Sequence, residues 1–92
     1  MSDVQRRILQ DRKFIVLHSY VYYKLGESLV PDSVFDRVSR DLVTLQKDRP
    51  EDSLAVGFYL DYFKDWDGST GFDIPFQQPE IEAAKKAVEE SY

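Results

Sequence analysis

His18-Ser19-Tyr20-Val21-Tyr22-Tyr23-Lys24-Leu25-Gly26-Glu27-Ser28-Leu29-Val30-Pro31-Asp32-Ser33-Val34-Phe35-Asp36 joins two helical patterns through a short loop. Upstream, Ile8, Leu9, Ile15, Val16, Tyr20, Tyr22 and Tyr23 recur at helical spacings, as do Phe14, Leu17, Val21 and Leu25. This predicts a helix over about Asp3–Leu25, capped by Ser2 or Asp3 and stopped by Gly26. The β-branched and aromatic residues between 14 and 23 also suit a strand. Phe14–Leu17 is apolar all round, which implies burial on more than one side. Downstream, Pro31 disfavours helical geometry at Val30, and Asp32 stands where an N-cap belongs. A second helix is predicted over about Ser33–Lys47, with Phe35, Val38, Leu42 and Leu45 at i, i+3, i+7 and i+10 as its apolar stripe.

Beyond Pro50 the signals weaken. Leu54, Phe58 and Tyr62 keep a four-residue step, so a short helix is expected over Leu54–Phe63, although Gly57 and the dense aromatic and β-branched content also suit a strand. Asp67-Gly68 and Gly71 mark a turn-rich loop through Pro75. A last helix is expected from about Pro79 to Glu90, striped by Ile81, Ala84 and Val88, with Glu82 and Lys86 as an i,i+4 pair. The expected fold is all-α: one small domain over 1–92 with three or four helices built on a helix-loop-helix core.

Composition bounds the function. Ninety-two residues suffice for one modest core and leave little room for a deep, walled active site. Six Tyr, six Phe and one Trp argue against disorder. The chain has no cysteine and one histidine, which excludes disulfides, thiolate nucleophiles and multi-His metal sites. No apolar run reaches the about 18 residues of a membrane span, and no signal-peptide pattern is present, so a cytoplasmic location with no membrane contact is expected. The net charge of −5 is uneven: residues 1–49 carry nine basic and seven acidic side chains, residues 50–92 three and ten. Direct nucleic-acid binding is therefore not expected, and Arg6, Arg7, Arg12 and Lys13 are the best candidates for any local basic face.

Tyr22, Tyr23, Asp32, Phe35 and Asp36 form the candidate site. The two tyrosines close the first helix, while Asp32 and Asp36 share a face at the start of the second. Rings can stack on a planar heterocycle and attract a cationic one, and carboxylates accept hydrogen bonds from ribose hydroxyls or an amide. From the residues alone a plainer reading stays open, in which Asp32 is an N-cap, Asp36 a first-turn acid favoured by the helix dipole, and the rings are core. His18, a lone histidine among apolar residues, reads as a hydrogen-bonded core residue.

Residues 18–51 resemble domain Ia, the N-terminal domain of bacterial NAD-dependent DNA ligases. That family shows His-x-Tyr-x-Tyr-Tyr, a short loop, Asp-x-x-Tyr-Asp, and a leucine-striped helix ending in Pro-Glu. Here stand His18-Ser19-Tyr20-Val21-Tyr22-Tyr23, then Asp32-Ser33-Val34-Phe35-Asp36, then Leu42, Leu45 and Pro50-Glu51, without a gap. The resemblance implies a helical cap over residues 1–51, in which Tyr22, Tyr23, Asp32, Phe35 and Asp36 hold the nicotinamide mononucleotide half of NAD. Phe35 replaces the motif's tyrosine, which keeps the ring and removes the hydroxyl. Gly26 and Ser28 stand where the family often has Asp and Pro. Residues 52–92 form an acidic extension outside the resemblance.

The resemblance also implies what is missing. Adenylation needs a nucleophilic lysine in Lys-x-Asp-Gly, and Lys64-Asp65-Trp66-Asp67-Gly68 has one residue too many between lysine and aspartate. Nor does this turn have calcium-loop spacing: with Gly68 at loop position 6, Phe63 and Ile74 would occupy ligand positions. No catalysis and no metal are expected. The expected function is a stand-alone module, of a kind a bacteriophage would carry, that binds NAD or nicotinamide mononucleotide weakly or docks on a nucleotidyltransferase partner. The alternative is a protein-interaction module, an inhibitor or nucleic-acid mimic, that kept the scaffold and lost the ligand.

Overall fold

The computed structural model describes residues 1–69 and 71–91. Helix α1 spans Asp3–Leu25 and opens with a reciprocal cap: the Gln5 N–H donates to Ser2 Oγ, and the Ser2 N–H donates to Gln5 Oε1. Of the two residues expected to cap it, Ser2 does so. Gly26 ends the helix in the left-handed region (φ 67°), a conformation that glycine adopts without a Cβ penalty, and the Glu27 N–H reaches back to the Val21 carbonyl at 3.1 Å.

Helix α2 spans Asp32–Asp48 and packs against α1 along Val38 and Leu42. Its N-cap is Pro31, not Asp32, and no side-chain cap bond forms. The Pro31 carbonyl takes the Val34 and Phe35 N–H groups at 3.0 and 3.3 Å, so the helix begins one residue earlier than expected. Asp32 thus lies inside the first turn, where a negative charge is favoured by the dipole.

The single helix expected over Leu54–Phe63 is instead two short ones, α3 (Pro50–Ala55) and α4 (Leu60–Phe63). Arg12 accounts for the break. Its buried guanidinium donates to the carbonyls of Ser53 (3.0 Å), Val56 (2.6 Å) and Phe58 (3.4 Å), and to Ser53 Oγ and Gln46 Oε1 (both 2.9 Å). The Val56 and Phe58 carbonyls that a continuous helix would use internally are turned toward this cation. Tyr59 adopts a left-handed conformation (φ 51°) as the chain reverses. Leu54, placed on the expected stripe, is 59% exposed. Arg12 is accordingly no part of a basic face. Arg6 and Arg7 are tied to Asp3 and Asp11 respectively.

Helix α5 (Gln78–Glu90) lies back across α1 and buries Ala84. Lys86 pairs with Glu90 at 3.8 Å, while Glu82 accepts from Gln78. Ile8, Ile15, Val16, Val38, Leu42, Val56, Phe63 and Ile74 form one core, with α1 touching α2, α3 and α5. That is the many-sided burial the apolar run Phe14–Leu17 implied. Each fully buried aliphatic side chain contributes roughly 1.5–3 kcal/mol. Among the described residues every regular element is helical, and no helix is long and apolar enough to cross a membrane.

Candidate functional site

The C-terminal turns of α1 and the first turn of α2 are joined by the loop 26–31. A cavity of about 220 Å³ opens there. Tyr22, Tyr23, Asp32, Phe35 and Asp36, the five residues singled out in the sequence, all line it. Helical geometry brings them together. Tyr22 and Tyr23 lie on the last turn of α1, and Asp32, Phe35 and Asp36 fall at i, i+3 and i+4 on α2.

The rings are fixed by one another. Tyr22 and Tyr23 pack edge to face, with centroids 4.9 Å apart and planes at 81°. Phe35 is half-buried against Phe14 at 6.5 Å. Tyr22 remains 56% exposed and Tyr23 38%, so both are more open to solvent than core rings. Asp32 and Asp36 are exposed, and neither forms an ion pair among the described residues. The Asp32 and Asp36 carboxylates line the same cavity as the rings, an arrangement that suits a cationic heterocycle.

The sequence reading missed part of the wall. His18 and Ser19 also line the cavity, with Leu29 and Val30 from the loop and Ser69 from far along the chain. His18 is not the hydrogen-bonded core residue expected. Its ring packs on Phe14 at 4.2 Å, and Nδ1 is buried with no partner among the described residues. Burial holds its pKa below the ordinary value of 6.5, so the ring is neutral at pH 7. Ser19 is wholly buried, and its Oγ is likewise unpartnered. Their positions three to five residues before Tyr22 and Tyr23 carried a signal, because i,i+3 and i,i+4 neighbours share a helix face. Ser69 carried none, since only the tertiary fold brings it there.

A wider groove of about 540 Å³ runs between α1 and α5. Its walls, including Phe14, Leu17, Phe58 and Ala83, are largely apolar, and of the five candidate residues it includes none. Among the described residues there is no cluster of three or more His, Cys, Asp or Glu side chains arranged to hold a metal.

A family model described as the DNA ligase-like, N-terminal NAD+-binding domain matches residues 1–55. The chain belongs to this family. The matched ligase-like part takes in α1, α2 and α3, and so ten of the eleven cavity-lining residues. A DNA ligase from Ectopseudomonas mendocina is 41% identical over 51 residues, which is 55% of this chain and 6% of that ligase. One from Pseudothermotoga lettingae is 37% identical over 50 residues, 54% of this chain and 7% of the ligase. One from Coxiella burnetii is 42% identical over 50 residues, 54% and 8% respectively. The chain thus matches only a small fraction of the length of these ligases, and residues 56–92 of this ligase-like chain lie beyond the family match. No solved structure matches it.

Proposed function

We propose that this chain is a non-catalytic ligase-like module that binds the nicotinamide mononucleotide half of NAD. The observation that carries the proposal is the convergence of Tyr22, Tyr23, Asp32, Phe35 and Asp36 on one cavity, in a chain whose family is described as NAD+-binding. The donor set fits such a ligand. A nicotinamide ring is planar and, in the oxidised nucleotide, cationic; the tyrosine faces and the two carboxylates both favour it. Asp32 and Asp36 accept hydrogen bonds from ribose hydroxyls or the carboxamide. The buried Ser19 Oγ and His18 Nδ1, which have no partner among the described residues, give the cavity further polar character.

Binding is expected to be weak, because the cavity is open on one side and the ligand is polar. A dissociation constant on the order of 0.1–1 mM corresponds to about 4–5.5 kcal/mol. Calorimetric titration with nicotinamide mononucleotide and, separately, with adenosine monophosphate tests the assignment. Heat from the first alone supports it; preference for the adenine nucleotide refutes it. No adenylation is expected, because the Lys64–Gly68 turn lacks the spacing of a Lys-x-Asp-Gly site. Labelled adenylate attached covalently to the purified chain after incubation with NAD would overturn that part.

A second reading has its own support. Tyr22 and Phe72 are both more than half exposed and lie at the same end of the molecule. Exposed aromatic side chains are enriched at protein interfaces, so this end also suits docking on a nucleotidyltransferase partner. Co-purification of a partner that is lost in Tyr22→Ala would favour it.

A further inference from the structure

We infer that Phe72, in the segment beyond the family-matched residues, is a positioning residue for the nucleotide site: it seats the Tyr23 ring. The inference rests on the proposed mononucleotide reading. Tyr22, Tyr23 and Phe72 form a row of rings, each edge to face with the next. The Tyr22–Tyr23 centroids are 4.9 Å apart at 81°, and the Tyr23–Phe72 centroids 5.5 Å apart at 87°. Lys24 Nζ lies 5.1 Å from the centre of the Phe72 ring, which adds a cation–π contact on the same residue.

The segment is anchored where it would have to be. Gly71 is buried against α1 directly beneath the site. A Cβ built there would stand 2.7 Å from Ser19 Cβ and 3.1 Å from Ile74 Cδ1, and would collide with Ser19 Oγ. Only a residue without a side chain lets the backbone come this close. Two residues earlier, Ser69 lines the cavity itself, with its N–H held by Asp67 Oδ1 at 2.9 Å. Ile74, buried in the core, fixes the far side. Ser69 thus forms one wall of the cavity while Phe72 braces a ring of another. The family match ends at residue 55, so this support is supplied by the chain's own second half.

Without Phe72 the Tyr23 ring loses an edge-to-face neighbour and gains rotameric freedom that binding must remove. An aromatic pair of this kind corresponds to roughly a three- to tenfold change in affinity. The test is a nicotinamide mononucleotide titration of the full chain, followed by the Tyr23 ring resonances. Phe72→Ala and Phe72→Leu are each expected to bind about three- to tenfold more weakly and to shift the Tyr23 ring signals before any ligand is added. Phe72→Tyr, which keeps the ring, should restore wild-type affinity. Phe72 is 58% exposed, so the thermal midpoint of all three should stay near wild type. Wild-type affinity in Phe72→Leu, alongside weakened binding in Asp36→Ala, would overturn the inference and leave the site reading standing. Absence of any response in the wild-type chain at millimolar mononucleotide would sink both.

Discussion

At Arg12 five guanidinium N–H groups meet five acceptors, whereas about two turns further along α1 the buried atoms His18 Nδ1 and Ser19 Oγ meet none among the described residues. Both places lie on one helix, and both bring polar atoms out of water. At the first, the cation is enclosed by α2, α3 and the reversal at 56–59. Burial lowers its pKa from 12.5 to about 10, so it stays charged at pH 7 and holds three carbonyls in place. At the second, rings are exposed, two carboxylates have no ion partner among the described residues, and a cavity remains. A saturated polar cluster stabilises a fold, while an unsaturated one is a place where polar groups from outside can be accepted.

The contrast can be broken most forcefully at Arg12. Arg12→Met should destabilise the chain by about 3–5 kcal/mol, because it strands several buried carbonyls at once. Urea denaturation monitored by circular dichroism measures this. A loss below about 1 kcal/mol would mean that the cluster is not what holds α3 and α4 apart. A smaller effect is expected at Gly71→Val. Crowding against Ser19 and Ile74 should cost about 1–3 kcal/mol, and should also perturb the cavity wall.

His18 gives the contrast a pH dependence. Its folded pKa lies below 6.5 because burial disfavours the charged ring. As pH falls through 6.5 the unfolded chain takes up a proton that the folded chain does not, so stability falls. Denaturation midpoints should therefore drop between about pH 7 and pH 5.5, and His18→Gln should flatten that drop. Asp11 acts in the opposite sense further down. Desolvation chiefly raises its pKa above 3.8, with Arg7 opposing and Asp41 adding, so its protonation on acidification favours the folded state. An unchanged slope in His18→Gln would show that the histidine is not the group responsible.

The smallest stability effect is expected at Asp32. Had it capped α2, its replacement by alanine would cost about 0.5–2 kcal/mol; with no cap bond in place the loss should stay within about 0.5 kcal/mol. Asp36→Ala should be equally mild for stability. Both should weaken mononucleotide binding, which separates the ligand role of these carboxylates from a structural one.

Much of the α1–α2 pair could be read from the chain because its determinants are local. Gly26 and Pro31 punctuate the loop, and the Phe35–Leu45 stripe repeats on one face. The candidate cavity was legible for the same reason: its five expected residues are neighbours on two helix ends. What stayed hidden depends on distance along the chain. Arg12 divides α3 from α4 through contacts 41 to 46 residues away, and no periodicity within 54–63 reports that. Ser69 joins the cavity through the close packing of its neighbours, Gly68 on Val43 and Gly71 on Ser19. The cap falls one residue before Asp32, because the Pro31 carbonyl accepts the Val34 and Phe35 N–H groups.

The central claim is that the Arg12 stretch and the His18–Tyr23 stretch of α1 differ in kind, and residue-resolved chemical-shift titration with nicotinamide mononucleotide tests it most directly. Shifts should be confined to His18, Ser19, Tyr22, Tyr23, residues 28–36, Ser69 and Phe72, saturating with a dissociation constant on the order of 0.1–1 mM. Arg12, Gln46 and Ser53 should not move. Silence at the cavity at several millimolar ligand, or shifts centred on the Arg12 cluster instead, would contradict it.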